Sequence, residues 1–133
     1  MKKIVLVDDS GTARMFIRRC LEIAGCQGAE FAEAGNGKEA LTLLKAGAAD
    51  FDFVVSDLNM PVLDGKGLLK WIKASPKLHA IPVVIISSSS NPALEKELKE
   101  LGAYAVLSKP ISPPQLIAEL GGLFVNLEEK NDG

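Results

Sequence analysis

Residues 83–86 read Val83-Val84-Ile85-Ile86, four consecutive β-branched residues closed by Ser87. β-branched side chains suit extended backbone. A strand that is apolar at every position, rather than at alternate ones, has both of its faces covered, as in a parallel sheet flanked by helices. Two other stretches share the pattern: Ile4-Val5-Leu6-Val7, which meets Asp8 and Asp9, and Phe53-Val54-Val55, which runs on to Ser56-Asp57. Working outward from these, five strands are predicted, at residues 3–8, 29–34, 53–57, 83–87 and 104–108.

Helix-period segments fill the gaps. Ala13, Phe16, Ile17, Cys20, Leu21 and Ala24 repeat at i, i+3, i+4, i+7 and define one helix face, with Gly25 placed as a C-terminal cap. Asn36 followed by Glu39 resembles a capping box ahead of Ala40, Leu41 and Leu44. Leu68, Leu69 and Ile72 form a shorter stripe, with Trp71 beside them read as a packing residue. Asn91-Pro92 and Ser112-Pro113 each pair an N-cap with a proline at the first helical position. The last helix carries Leu116, Ile117, Leu120 and Phe124, but Gly121-Gly122 weakens it by about 1 kcal/mol per glycine. Its final turns are therefore insecure, and the polar tail, residues 128–133, is expected to fray.

Strand and helix thus alternate five times, and short connections suit right-handed crossovers, giving a doubly wound open α/β sheet. The 133 residues fit one domain, taken as residues 1–127, with no repeat, no low-complexity linker and a tail too short for a DNA-binding output domain. A net charge of −2 without a basic run argues against a nucleic-acid partner. No apolar stretch approaches the roughly 18 residues of a membrane span, and the N-terminal apolar run reads as a buried strand rather than a signal peptide. Cys20 and Cys26 lack CxxC spacing, so Cys20 is assigned to the core and a cytoplasmic location is expected. His79 is placed in an exposed loop, and Gly35-Asn36-Gly37-Lys38 is a turn, since it lacks the phosphate-loop frame.

In an open parallel sheet, ligands bind beyond the carboxyl ends of the strands. The first strand ends in Asp8-Asp9, the third in Asp57, the fourth in Ser87, and the fifth is followed by Lys109. Two like charges about 4 Å apart repel by roughly 4 kcal/mol at an effective dielectric near 20, so three carboxylates at one edge call for a cation. Oxygen ligands without His or Cys point to Mg²⁺, which takes one or two carboxylates and keeps room for a phosphate oxygen. Lys109 adds a point charge toward phosphate, Ser87 a hydrogen bond, and one carboxylate a nucleophile. Each of these short motifs alone is a cap, a turn or a polar loop; their joint placement at strand ends makes a phosphoryl-transfer site.

Val7-Asp8-Asp9-Ser10, Ser56-Asp57-Leu58-Asn59-Met60-Pro61 with Asp64-Gly65, Ser87-Ser88 and Lys109-Pro110 together resemble the signature of bacterial two-component response-regulator receiver domains. The resemblance runs over residues 3–127 and is strongest to the single-domain chemotaxis-type regulators, through the stretch ending at Arg14 and through Asn59. It implies a flavodoxin-like sheet of order 2-1-3-4-5. It also implies that Asp57 accepts phosphate from a sensor histidine kinase. Asp9, Asp57 and the backbone carbonyl of Asn59 would then ligate Mg²⁺ directly and Asp8 through water, while Ser87 and Lys109 grip the phosphoryl group. The side chains of Asn59 and Ser89 would flank the hydrolytic water. The implied output partner binds the face made by the last two helices and the fifth strand, and a phosphatase is a further implied partner.

Two positions depart from the family pattern. Its switch hydroxyl is commonly Thr, here Ser87, and its aromatic residue three before the lysine is here Val106. Tyr104, on the same side by strand periodicity, is expected to serve partner recognition instead. Three alternatives compete with this reading. A phosphatase of the haloacid-dehalogenase type needs a second Asp where Asn59 stands. An FMN carrier of the same fold would find Asp8 and Asp9 repelling its phosphate. A non-phosphorylated pseudo-receiver is favoured only by Val106.

Overall fold

The computed structural model describes residues 2–47, 50–89 and 91–132. Its strands are β1 (Lys3–Val7), β2 (Glu30–Ala34), β3 (Phe53–Asp57), β4 (Val83–Ser87) and β5 (Ala105–Ser108). They alternate with α1 (Gly11–Leu21), α2 (Gly37–Ala46), α3 (Gly65–Ala74), α4 (Pro92–Glu100) and α5 (Pro113–Asp132). All pairings are parallel, in the order β2-β1-β3-β4-β5. The family-derived strand order therefore holds. Asp8, Ala29 and Tyr104 fall one residue outside the strands they were assigned to, yet the ladder reaches two of them: the Asp8 amide donates to the Ala34 carbonyl at 3.1 Å and the Tyr104 amide to the Val83 carbonyl at 2.8 Å.

β3 and β4 are buried at every position, as their unbroken apolar runs require. Alternate side chains serve two cores. Ile4, Leu6, Phe53, Val55, Val84 and Ile86 join α1 and α5 on one face. Val5, Val7, Val54, Val83 and Ile85 join α2, α3 and α4 on the other. The helices start where side-chain oxygens meet free amides. Asn36 accepts from the Glu39 amide at 3.0 Å, with Glu39 reaching back to the Gly35 amide at 3.1 Å. Asn91 accepts from the amides of Ala93 and Leu94 ahead of Pro92. Ser112 accepts from the Gln115 amide at 3.3 Å. Gly25 has φ 141° in the wide turn Glu22–Cys26 that ends the first helix, a conformation open to glycine.

Three expectations are corrected. Phe16 is on the predicted apolar stripe of α1 but is 51% exposed, because the stripe is wider than the sheet can cover. Trp71, read as packing, is 57% exposed beside Lys45, whose ammonium lies 5.7 Å from its ring centroid. The tail does not fray at residue 128: α5 continues through Gly121-Gly122 to Asp132. Burial of Leu123, Phe124 and Leu127 beyond the glycines outweighs their weak propensity. Cys20 and His79 lie as expected, the first buried and the second exposed. Cys26 is buried too, and desolvation pushes its thiol up to about 11.

A Cβ added at Gly121 or Gly122 would meet nothing within 4 Å. Gly121→Ala and Gly122→Ala should each stabilise the protein by about 0.5–1 kcal/mol through helix propensity alone. Denaturant melts of the two variants check this, and a loss of stability in either would contradict it.

Candidate functional site

Strand register sets the site. β1 pairs with β3 up to Val7 opposite Ser56, β3 with β4 up to Asp57 opposite Ile86, and β4 with β5 up to Ser87 opposite Ser108. The C-terminal ends of four strands thus lie side by side, and the residues at or just past them meet. Asp8, Asp9 and Asp57 each offer a carboxylate oxygen within 4.8 Å of the others. Lys109 Nζ lies 3.1 Å from Asp57 Oδ1 and 3.8 Å from Asp8 Oδ2. Asp8 and Asp57 are buried whereas Asp9 is exposed, so the cluster has one open side.

The two buried carboxylates are held differently. Asp57 Oδ1 accepts from the Leu58 amide at 3.0 Å and is ion-paired with Lys109. Asp8 Oδ1 accepts from the Ser10 amide at 2.9 Å, but Asp8 Oδ2 is buried with no hydrogen-bond partner. Burial raises the Asp8 carboxyl above its ordinary value; the Ser10 amide opposes this, Asp57 adds repulsion and Lys109 offsets part of it. A buried carboxylate oxygen without a donor, beside two more carboxylates, is what a hard divalent cation would satisfy. The residues present fit Mg²⁺.

Backbone details that the sequence did not announce keep the pocket in shape. A Cβ at Gly65 would lie 2.4 Å from the Asp57 carbonyl oxygen and 2.9 Å from Leu58 Cα, so only glycine lets α3 start against the end of β3. The Gly65 amide then donates to the Leu58 carbonyl at 2.8 Å. Arg14 is legible in the sequence only as part of a motif, yet its Nη1 donates to the Asp8 carbonyl while its Nε pairs with Glu33 at 2.8 Å. Val62 adopts φ 69° in the loop after β3, with the Leu63 amide bonded to the Pro61 carbonyl at 2.8 Å. For a β-branched residue that is a strained, γ-type turn.

The remaining predicted residues lie around this edge. Ser87 is buried, and its hydroxyl accepts from the Ser89 amide at 3.0 Å. The Lys109 amide donates to the Ser87 carbonyl at 2.8 Å, and Lys109-Pro110 is a cis peptide. Asn59 is exposed on the loop two residues beyond Asp57, and Ser89 is exposed beyond β4. Val106 is half-buried against the α2–α4 core, and Tyr104 is 46% exposed. These last two are away from the carboxylates in the chain and belong to the β5 face rather than to the pocket.

Residues 4–121 match the response regulator receiver domain family. The chain belongs to that family. Chemotaxis protein CheY-3 of Vibrio cholerae is 36% identical over 125 residues, covering 94% of this chain and 93% of that protein. The crystal structure of the chemotaxis response regulator CheY4 of Vibrio cholerae superposes with a TM-score of 0.77 at 33% identity, over 92% of this chain and 98% of that one. A CheX–CheY–BeF3–Mg complex from Borrelia burgdorferi has a CheY of TM-score 0.78 and 25% identity, over 92% of this chain and 89% of that one. Receiver domains are signalling phosphoacceptors that bind Mg²⁺ at an acidic pocket. Among the described residues, no helix is long and apolar enough to cross a membrane.

The raised Asp8 value fixes a pH dependence. A carboxyl with a folded value above its ordinary 3.8 makes a relative contribution to stability that is present below 3.8 and lost as pH rises through the folded value. Asp8→Asn removes that loss, so in metal-free buffer its stability advantage over wild type should grow as pH rises from 3.8 toward neutrality. Paired denaturant melts across that range test it; an advantage that shrinks with pH would contradict the burial argument.

Proposed function

We propose that this receiver takes a phosphoryl group from a phosphohistidine of a sensor histidine kinase onto Asp57, with Mg²⁺ in the acidic pocket, and thereby changes its affinity for an output partner. The observation that carries this reading is the pairing of Lys109 with one oxygen of Asp57 while a neighbouring buried carboxylate oxygen, Asp8 Oδ2, lacks any donor. Asp57 Oδ1 is occupied by Lys109 and the Leu58 amide, which leaves Oδ2 to attack phosphorus. The P–N bond to the kinase imidazole breaks as the O–P bond forms. Lys109 then follows the negative charge from the carboxylate onto a phosphoryl oxygen, and Ser87 gives up its local bond to Ser89 to donate to another.

Asp9, Asp57 and the Asn59 carbonyl would hold the metal, with Asp8 acting through a water. When bound, Mg²⁺ would neutralise charge on the carboxylates and on the entering phosphoryl oxygens. Water later hydrolyses the acyl phosphate, with Asn59 and Ser89 flanking its approach. For docking of the kinase, an apolar pocket of about 320 Å³ lies beside Lys109, lined by Phe16, Ile17, Ile86 and Pro110 among others. Phe16 in its wall is 51% exposed. A chemotaxis pathway is favoured by the names of the relatives, and the Borrelia complex supports a protein partner of the CheX kind. The receiver works in the cytoplasm, where such kinases present their phosphohistidine, and residues 1–127 make up the functional unit.

Incubation with Mg²⁺ and acetyl phosphate should add one phosphoryl group to wild type and none to Asp57→Asn, read by intact-protein mass. Lys109→Ala should slow or abolish the response, and chelation of the metal should abolish it. No modification of wild type, or full modification of Asp57→Asn, would overturn the assignment. For the output face, Tyr104→Ala should weaken binding of the phosphorylated form to its output protein by roughly tenfold, as exposed tyrosines at interface centres do. Unchanged affinity in a calorimetric titration would remove Tyr104 from that face.

A further inference from the structure

The single tryptophan of the chain is not used by the site described above, and it is not in the core. Trp71 projects from α3 and, with Leu41 of α2 and with Val62 and Leu63 of the loop after β3, lines a groove of about 350 Å³ whose remaining rim carries Lys38 and Lys45. Trp71 and Val62 are 57% and 76% exposed. Exposed apolar area of this kind, centred on a tryptophan in a concave site, has the makeup of an interface anchor.

Charge decides what fits there. The groove is lined by two ammonium groups and no carboxylate, on a protein whose net charge is −2. Among the described residues neither Lys38 nor Lys45 enters an ion pair. The neighbouring carboxylates are spent elsewhere: Glu39 is turned back to the Gly35 amide and the Asn36 side chain, and Asp64 caps α3 through the Gly67 amide at 2.8 Å. Lys45 is held over the Trp71 ring at 5.7 Å, so positive charge and aromatic surface are presented together.

We propose that this α2–α3 groove binds an acidic amphipathic segment of a partner protein. The segment's apolar side chain covers Trp71 and Val62 while its carboxylates meet Lys38 and Lys45. This surface is separate from the Asp57 pocket and from the β5 face. Its floor is shared with the loop that leaves Asp57, since Val62 and Leu63 stand in that loop, beyond Pro61. An oligonucleotide is the other polyanion that could use lysines around an aromatic ring, but the apolar Leu41, Val62 and Leu63 favour a peptide.

A random-peptide display library is selected on wild type with counter-selection on Trp71→Ala. The expected survivors carry Asp or Glu flanking Leu, Phe or Trp. Each, made as a synthetic peptide, should shift Trp71 fluorescence, bind more weakly as salt rises, and lose roughly tenfold or more in affinity with Lys38→Glu combined with Lys45→Glu. All three changed side chains are on the surface, and the variants are required to accept phosphate from acetyl phosphate like wild type. Survivors without acidic residues, no survivors after counter-selection, or equal binding to the double variant overturn the proposal. So does a single-stranded oligonucleotide that quenches Trp71 at lower concentration than any selected peptide.

Discussion

Two carboxylates, Asp8 and Asp57, are buried side by side at the end of a sheet whose interior is otherwise uncharged among the described residues, and the surrounding structure answers that cost. A pair of like charges at such a distance repels by several kcal/mol at an effective dielectric near 20. Lys109 supplies one compensating charge, reaching Asp57 more closely than Asp8. The amides of Ser10 and Leu58 supply hydrogen bonds, one to each carboxylate. Arg14 anchors the carbonyl of Asp8 and so fixes the turn that carries both Asp8 and Asp9. The single ammonium of Lys109 against three carboxylates still leaves the pocket negative, with Asp8 Oδ2 without a hydrogen bond. The site is therefore built to gain a cation, and its affinity for one is bound up with the protonation of Asp8.

The same constraint explains how much could be read from the sequence. A parallel strand buried on both faces has a signature that survives without any tertiary information, and Val83-Val84-Ile85-Ile86 is an unambiguous case. Once the strands are parallel, their carboxyl ends share one edge, and Asp8, Asp9, Asp57, Ser87 and Lys109 are brought together by topology alone. Contacts made by backbone were not legible. Nothing in the one-dimensional pattern says that a Cβ at Gly65 would strike the Asp57 carbonyl, or that Val62 takes a positive φ. Periodicity also misplaced side chains where it had to decide between core and surface. Phe16 and Trp71 lie on or beside apolar stripes, but the sheet is too narrow to cover the whole stripe, and the excess faces solvent. In α5 the error ran the other way, since local propensity at Gly121-Gly122 was overruled by three buried residues further on.

Events at Asp57 have a short mechanical route to the rest of the molecule. The β3–α3 loop is fastened at both ends: the Gly65 amide bonds the Leu58 carbonyl at 2.8 Å, and the Gly37 amide at the start of α2 bonds the Leu63 carbonyl at 2.9 Å. A Cβ at Gly37 would come within 2.7 Å of that carbonyl, so the contact is as close as glycine permits. Between the two fastenings lies Val62 with its strained φ, a conformation that persists only because its neighbours hold it. On the other side, Lys66 in the first turn of α3 pairs with Glu97 of α4, and this ion pair holds the Glu97 carboxyl below its usual range.

These links bear on the loss of the aromatic rotor at position 106. In a receiver with a ring there, the switch hydroxyl and the ring move together, and the β5 face reads the phosphate. Val106 is β-branched and half-buried against the α2–α4 core, so it has little volume to vacate and few rotamers to exchange. A displacement of Ser87 toward a phosphoryl group leaves no ring-sized space to fill. The loop after β3 is the alternative conduit, because Asp57 is covalently continuous with it and because α2 and α4 are each tied to it or to the helix it begins. Val106 thus supplies no rotor on β5, and the contiguous connection out of the acidic pocket runs through the loop after β3 to the ends of α2, α3 and α4.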